Sequence, residues 1–272
     1  MLVLKFGGGD GIDFSALAKN AAALQNSGDP STGSGQEKIV IVVGANAQLS
    51  RVQKERGIEP KMITSEKGEK SRWTDESTLA LLKEIYGGTA EKVAAKIVEF
   101  GGVAVAQIGS KDNLIFAKRH GRMRILENGK VKVVDGDLTG SIEKIDAAAI
   151  QKILDDGKIL VVAPPAAAEN SLEINVDGDK IASKIASEMQ ADKLIFFANT
   201  PGLLKNVDEE ASLIREIPIA HADEFAVGRM KKKILSAKRA IEAGVGAVIF
   251  ADGRIENSPI DFALSGGGTK VF

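Results

Sequence analysis

The sequence predicts an α/β protein, an open and mostly parallel central sheet covered by helices on both faces in three layers. Short apolar runs alternate with helical patterns over most of the 272 residues. The runs are continuous in Val, Ile and Leu, as strands buried on both faces are. The length suffices for a well-buried core.

The first strand, 2–6, reads LVLKF and stops at Gly7, Gly8, Gly9 and Gly11. Apolar spacing gives a helix at 13–26. The stretch 27–36 is mostly Gly, Ser, Asp and Pro, a surface loop, and the strand 38–43 follows it. Periodicity then gives helices at 76–86 and 90–100 and a strand at 103–108. From Leu114 to Val134 the chain reads as hairpins at a sheet edge, turning at Glu127, Asn128 and Gly129. The alternation resumes with helix 146–155, strand 158–163, helix 179–189, strand 193–198, helix 229–243 and strand 246–250. Pro164, Pro165 and the alanines before Asn170 mark a soft waist inside a single domain, with lobes of about 1–165 and about 166–272.

Composition removes several classes of function. Lys+Arg 36 against Asp+Glu 37 leaves a net charge of -1, which gives no global attraction for nucleic acid or acidic membranes. Cysteine is absent, so no disulfide, thiolate nucleophile or Cys-ligated metal is available. His120 and His221 are far apart in sequence, against a histidine-rich metal site. No apolar run reaches membrane-spanning length and no signal-peptide pattern opens the chain, so a cytoplasmic protein is expected.

Three clusters carry chemistry. Lys5 at a strand end beside Gly7 and Gly8 suits a polyphosphate, because glycine amides close on phosphate oxygens while the ammonium adds full charge. The helix from Phe14 would aim its positive end at the same place. In an open α/β sheet ligands collect beyond the strand carboxyl ends, so Gly7, Gly8, Gly44, Asn46, Ala198 and Asn199 should share one rim. The second cluster, Asn175, Val176, Asp177, Gly178 and Asp179, opens a helix. It reads as an N-cap with acidic first-turn residues, which helix physics alone favours, or as carboxylates that orient a lysine or a metal-bound phosphate. The third, Gly228, Arg229, Met230, Lys231, Lys232 and Lys233, sets cations at a helix start, where they oppose the macrodipole unless an anion compensates. The common nucleotide motifs are missing: Gly33, Ser34 and Gly35 are followed by Lys38 where a third glycine belongs.

Together these clusters resemble the amino acid kinase superfamily, and within it the N-acetylglutamate kinase and LysW-aminoadipate or LysW-glutamate kinase branch. LKFGGG is similar to the family's K-x-G-G strand end, NVDGD to its N-V-x-x-D element and GRMKKK to its G-G-M-x-x-K helix start. Arg72, Trp73, Thr74 and Asp75 resemble the R-x-T-D substrate loop, Pro201 to Leu204 the P-G-L-L turn, and Ala263 to Thr269 the closing glycine segment. The resemblance implies the αβα amino acid kinase fold, an acceptor-binding N-terminal lobe and a C-terminal lobe for ATP and Mg2+, the metal held mainly by the nucleotide. It implies transfer of the γ-phosphoryl group to a side-chain carboxylate. By position Lys5 and Lys233 flank that group, Asp179 holds both lysines, and Arg72 and Asn175 grip the acceptor. Gly7, Gly8, Gly44, Ala45, Asn199, Gly202 and Met230 fall on the phosphate and nucleotide side.

This chemistry needs no protein nucleophile, because phosphoryl transfer depends on positioning and charge. An opposite charge about 4 Å away is worth roughly 4 kcal/mol at an effective dielectric near 20, so two lysines and a magnesium offset much of the repulsion between the reacting anions. The chain departs from the family at Gly44, Ala45, Asn46 and Ala47, which stand where H-G-G-G is usual, and at Ala198 and Asn199, which replace T-D. These departures leave open a non-catalytic, ligand-binding relative.

The S-R-aromatic-T-D loop at Ser71 to Asp75 and the basic Lys231 and Lys232 resemble the carrier-dependent enzymes, whose acceptor is linked to the acidic protein LysW. Lys118, Arg119 and Arg122 would help to steer such a partner. N-acetylglutamate is the alternative acceptor. A homodimer is expected from the resemblance.

Overall fold

The computed structural model describes residues 1–27, 36–66, 68, 70–228 and 230–272. The expectations for Gly33, Ser34, Gly35 and Arg229 lie outside the described residues. In chain order the elements are β1 (Leu2–Phe6), α1 (Phe14–Asn26), β2 (Ile39–Val43), α2 (Asn46–Glu55), β3 (Met62–Thr64), β4 (Lys70–Arg72), α3 (Glu76–Glu99) and β5 (Ala104–Ile108). Then come β6 (Ile115–Arg119), β7 (Met123–Glu127), β8 (Lys130–Val134), β9 (Gly140–Ile145), α4 (Ala147–Asp155), β10 (Ile159–Ala163), β11 (Ala166–Ala167) and β12 (Glu173–Ile174). The chain closes with α5 (Gly178–Glu188), β13 (Lys193–Ala198), β14 (Glu216–Ile217), α6 (Ile219–Ala222), α7 (Met230–Glu242), β15 (Ala247–Asp252), α8 (Pro259–Leu264) and β16 (Thr269–Val271).

Eight strands form the central sheet in the order β14-β16-β15-β13-β1-β2-β10-β5. All neighbours are parallel except β15 and β16. The sheet crosses the expected waist without a break, since β1 lies between β2 and β13, and Pro164–Pro165 is a cis turn beyond β10.

Strand periodicity sorts the core into two layers. Leu2, Leu4, Phe6, Ile39, Ile41 and Val43 face one way, onto apolar residues of α1, α3 and α8. Val3, Val40, Val42, Leu194, Phe196 and Phe250 face the other, onto Ile181 and Ile185 of α5 and Ile234 and Ala237 of α7. Lys5 lies two residues after Val3, so the pleat turns it toward α5 and α7, with Val42 and Phe196 as its neighbours across the sheet.

Several expectations need correction. The patterns at 76–86 and 90–100 belong to one continuous helix, α3, which runs through Gly87. A Cβ on Gly87 would stand 3.0 Å from Ile108 Cδ1, so the glycine serves close packing on the edge strand. The turn at Asn128 and Gly129 does close the β7–β8 hairpin, with φ of 51° and 74°. That hairpin is not an edge of the main sheet. It packs with β3–β4 around Ile63, Trp73 and Ile125, while β6 joins β9 and β11 in a separate small sheet. α2 was not predicted, because its apolar content is thin.

Candidate functional site at the strand carboxyl ends

Lys5 is 5% exposed, and its Nζ donates to the Phe6 carbonyl at 3.0 Å and lies 3.6 Å from Asp179 Oδ1. Asp179 sits in the first turn of α5, delivered there by Asp177, whose carboxylate caps the helix by accepting from the Asp179 and Lys180 amides. Lys233, in the first turns of α7, donates to both Asp179 oxygens at 3.0 and 2.8 Å. Its ammonium also stands 5.3 Å from the centre of the Phe196 ring, the residue paired with Lys5 across the sheet. The two ammonium groups therefore converge on one acid, from β1 and α7, some 230 residues apart in sequence. The N-cap reading of Asp177 is correct, and Asp179 is free for the second role.

Charge in this cluster is set by burial and by the partners. Burial depresses the Lys5 pKa more than Asp179 raises it, and the second ammonium of Lys233 depresses it further. Burial alone would raise Asp179; Lys233 and Lys5 override it and hold the carboxyl below its usual range. Two ammonium groups share the Asp179 carboxylate, with the Asp177 carboxylate, spent on the helix cap, also acting on Lys5.

Glycines let the backbone close around this cluster. A Cβ on Gly44 would lie 2.9 Å from Lys5 Nζ, and one on Gly178 would lie 3.0 Å from Lys5 Cε. A Cβ on Gly8 would be 2.5 Å from the Asn46 N and 2.6 Å from the Ala45 N, so the Gly8 and Gly44–Ala47 turns press backbone to backbone. Gly7 N donates to Phe197 O, Gly44 N to Phe6 O and Ala47 N to Gly8 O, which joins the ends of β1, β2 and β13 in the expected rim. Two helix starts lie beside Lys5: that of α5, capped by Asp177, and that of α2, whose N-cap Ala45 offers no side-chain acceptor. The start of α1 is already occupied by its own Asp13, which accepts from Ser15 and Ala16.

Arg72 is fastened to α2, donating to Gln53 Oε1 and to Ser50 Oγ at 3.0 Å. Thr74 N donates to buried Asp137, and Arg119 Nε donates to the Asp137 carbonyl. Arg119 is thus committed to the fold, while Lys118 and Arg122 are exposed. Asn175 is threaded into the same wall, its N–H donating to Leu138 O and its carbonyl accepting from Gly140 N. Buried Tyr86 connects this wall to the centre: its phenol feels the charge of Arg72 and also that of Asp177 and Asp179. Burial raises its pKa, so it stays an O–H donor, and it bonds Asn46 Oδ1 at 2.7 Å. Sequence reasoning missed Tyr86; its one signal was being the single tyrosine of an aromatic-poor chain.

On the other side, Asn199 is exposed at the end of β13, with its amide carbon 3.4 Å from where a Gly9 Cβ would stand. Gly202, at φ 153°, lies against Thr269, whose hydroxyl accepts from Leu203 N. The P-G-L-L turn and the closing glycine segment are therefore one packed unit. Met230 opens α7 half-buried against the core, its N–H donating to Val227 O. Lys231 and Lys232 point to solvent. Among the described residues no group of three His, Cys, Asp or Glu side chains could hold a metal ion, and no helix is long and apolar enough to cross a membrane.

The family model described as the amino acid kinase family matches residues 1–252. The chain is 40% identical to a LysW-aminoadipate kinase of Deinococcus radiodurans, over 100% of this chain and 91% of that one. It is 38% identical to a LysW-aminoadipate kinase of Thermus thermophilus, over the whole of both chains. An acetylglutamate kinase of Methanothermobacter thermautotrophicus is 29% identical over 99% of this chain and 92% of that one. Among solved structures, N-acetylglutamate synthase from Neisseria gonorrhoeae shares the fold with a TM-score of 0.77 at 24% identity, covering 99% of this chain and 58% of that chain. The chain belongs to the amino acid kinase family.

Proposed function

We propose that this protein is an ATP-dependent kinase that phosphorylates the side-chain carboxylate of an amino-blocked acidic amino acid. The leading acceptor is aminoadipate or glutamate carried by LysW, in lysine or arginine biosynthesis. The observation that carries the reading is the convergence of Lys5 and Lys233 on Asp179 beside the glycine turns that end β1 and β2.

In the reaction an acceptor carboxylate oxygen attacks the γ-phosphorus, the bond to the bridging β–γ oxygen breaks, and acyl phosphate and ADP result. No proton moves. Lys5 and Lys233 neutralise the charge that gathers on the migrating group, and Asp179 fixes both against their mutual repulsion. Gly7, Gly8, Gly44 and Ala45 leave room for phosphate oxygens. The two ammonium groups beside these glycine turns fit an ATP polyphosphate, with Asn199, Gly202 and Met230 toward the nucleoside. Mg2+ would arrive with the nucleotide and add positive charge between its phosphates. Arg72 and Asn175 take the amino-acid end of the acceptor.

The lobes of about 1–165 and about 166–272 divide acceptor from nucleotide. A cytoplasmic homodimer completes the proposal, on the resemblance. N-acetylglutamate is the second reading, favoured by the acetylglutamate kinase relative. An assay that traps acyl phosphate with hydroxylamine tests both, run with LysW-linked aminoadipate, LysW-linked glutamate and free N-acetylglutamate. Preference for a carrier-linked acceptor supports the lead and preference for the free compound replaces it. Nucleotide binding without hydroxamate from any acceptor would leave a binding protein of the same fold.

A further inference from the structure

The turn after β2 carries alanine and asparagine where a run of glycines would expose bare amides, and the structure gives the asparagine a partner. Asn46 is the first residue of α2 and is itself exposed, yet its Oδ1 is held at 2.7 Å by the Tyr86 hydroxyl from inside α3. The Ala45 backbone amide also approaches the phenol oxygen. The phenol proton is spent on Asn46 Oδ1, which leaves the exposed amide's Nδ2 protons without a protein partner among the described residues. The turn that carries Asn46 adjoins the lysine cluster: the Asn46 backbone N lies 2.5 Å from where a Gly8 Cβ would be, and a Cβ on the neighbouring Gly44 would lie 2.9 Å from Lys5 Nζ. The charges of Arg72, Asp177 and Asp179 all act on the Tyr86 phenol. Thr89, one turn further along α3, donates to Gln48 of α2, a second tie between the two helices.

We infer that Asn46 is a side-chain donor to the phosphoryl group in transfer, replacing a glycine amide of the turn, and that Tyr86 is the positioning residue that fixes its amide. The inference rests on the kinase reading for the identity of the anion. A neutral donor to a charged oxygen is worth enough to change affinity tenfold or more. Rigid aiming of that donor is what an isolated, solvated asparagine would lack.

The test measures calorimetric dissociation constants of MgADP alone and of MgADP with aluminium fluoride, which stands in for the migrating PO3 unit. Asn46→Ala, Tyr86→Phe and the double variant are compared with the wild-type protein. Each single variant is expected to bind MgADP as the wild type does and to weaken the fluoroaluminate complex about tenfold or more, a loss of about 1.4 kcal/mol per tenfold. The double variant should be no weaker than Asn46→Ala, because Tyr86 acts only through that side chain. Tyr86→Phe keeps the ring in the core, so a folding defect does not imitate the result. Additive losses, equal weakening of MgADP, or an unaffected Asn46→Ala complex would overturn the assignment. So would a wild-type protein that gains nothing from aluminium fluoride, since no phosphoryl-sized anion would then be held at this turn. The hydroxylamine assay on the wild type fails independently if the kinase reading itself is wrong.

Discussion

The two ends of the central sheet use their charged groups in opposite ways. At the strand starts, the Met1 amino group pairs with Asp192 and with Glu37 at 3.0 Å, Lys38 pairs with Asp155 at 2.7 Å, and Lys158 pairs with Asp156. These are local, mostly wet pairs that add little to stability. Gln25 provides the tighter closure there, bonding Val103 N and the carbonyls of Val103 and Gly157. At the strand ends, three charges are drawn inside, and one carboxylate is shared by two ammonium groups. Desolvating charge in this way is unfavourable by itself, so the arrangement is best explained by an anion that completes it.

The comparison can be broken most severely at its acid. Asp179→Ala leaves Lys5 and Lys233 buried together without a counter-charge. We expect a loss of about 3–5 kcal/mol in urea unfolding along with loss of turnover, whereas an equally stable variant would mean the pair is not desolvated. Gly8→Ala comes next. Its methyl would collide with the Ala45 and Asn46 nitrogens, and backbone cannot swing aside as a side chain can. Overpacking of this kind costs about 1–3 kcal/mol, and the turn must open, so nucleotide affinity should fall in titration calorimetry.

A smaller effect sharpens the electrostatic half of the comparison. Because the Lys5 pKa is lowered from 10.5, its ammonium is lost earlier than that of an ordinary lysine as pH rises. The alkaline limb of kcat/KM should therefore fall below pH 10.5, and bound phosphate should move the limb of kcat upward. By linkage, charged Lys5 lowers folding stability below its folded pKa, and that penalty fades as pH rises toward 10.5. A limb at the ordinary lysine value in both profiles would contradict the burial argument. The smallest effect lies at the opposite end: Lys38→Ala should leave turnover and Tm unchanged to within about a degree, since its pair with Asp155 is exposed at both partners.

Much of the site was legible in the residues because its parts lie where strand and helix rules act locally. LVLKF fixes Lys5 on the face of Val3 by simple alternation, and Asp177 caps α5 in the way its sequence suggests, which leaves Asp179 pointing at the sheet. The central strands were readable for the same reason. What was not legible depends on contacts far apart in sequence. α3 continues through Gly87 and Gly88 because it packs against β5, which local helix propensity cannot reveal. The β7–β8 hairpin was recognisable from Asn128 and Gly129, but its partner β3–β4 comes from some sixty residues earlier. Tyr86 reaches Asn46 across 40 positions, and nothing in either segment names the other.

The central claim is that Lys233 shares the migrating phosphoryl group with Lys5 and is not merely a structural cation. The most direct measurement is the single-turnover rate of ATP-dependent acyl-phosphate formation in Lys233→Ala, trapped with hydroxylamine, beside its thermal melting curve. Removing a charge that neutralises the transition state should slow the step by about a hundredfold or more, while Asp179 keeps Lys5 as its partner and the fold melts close to wild type. A rate within a few-fold of wild type in a normally folded variant would contradict the account.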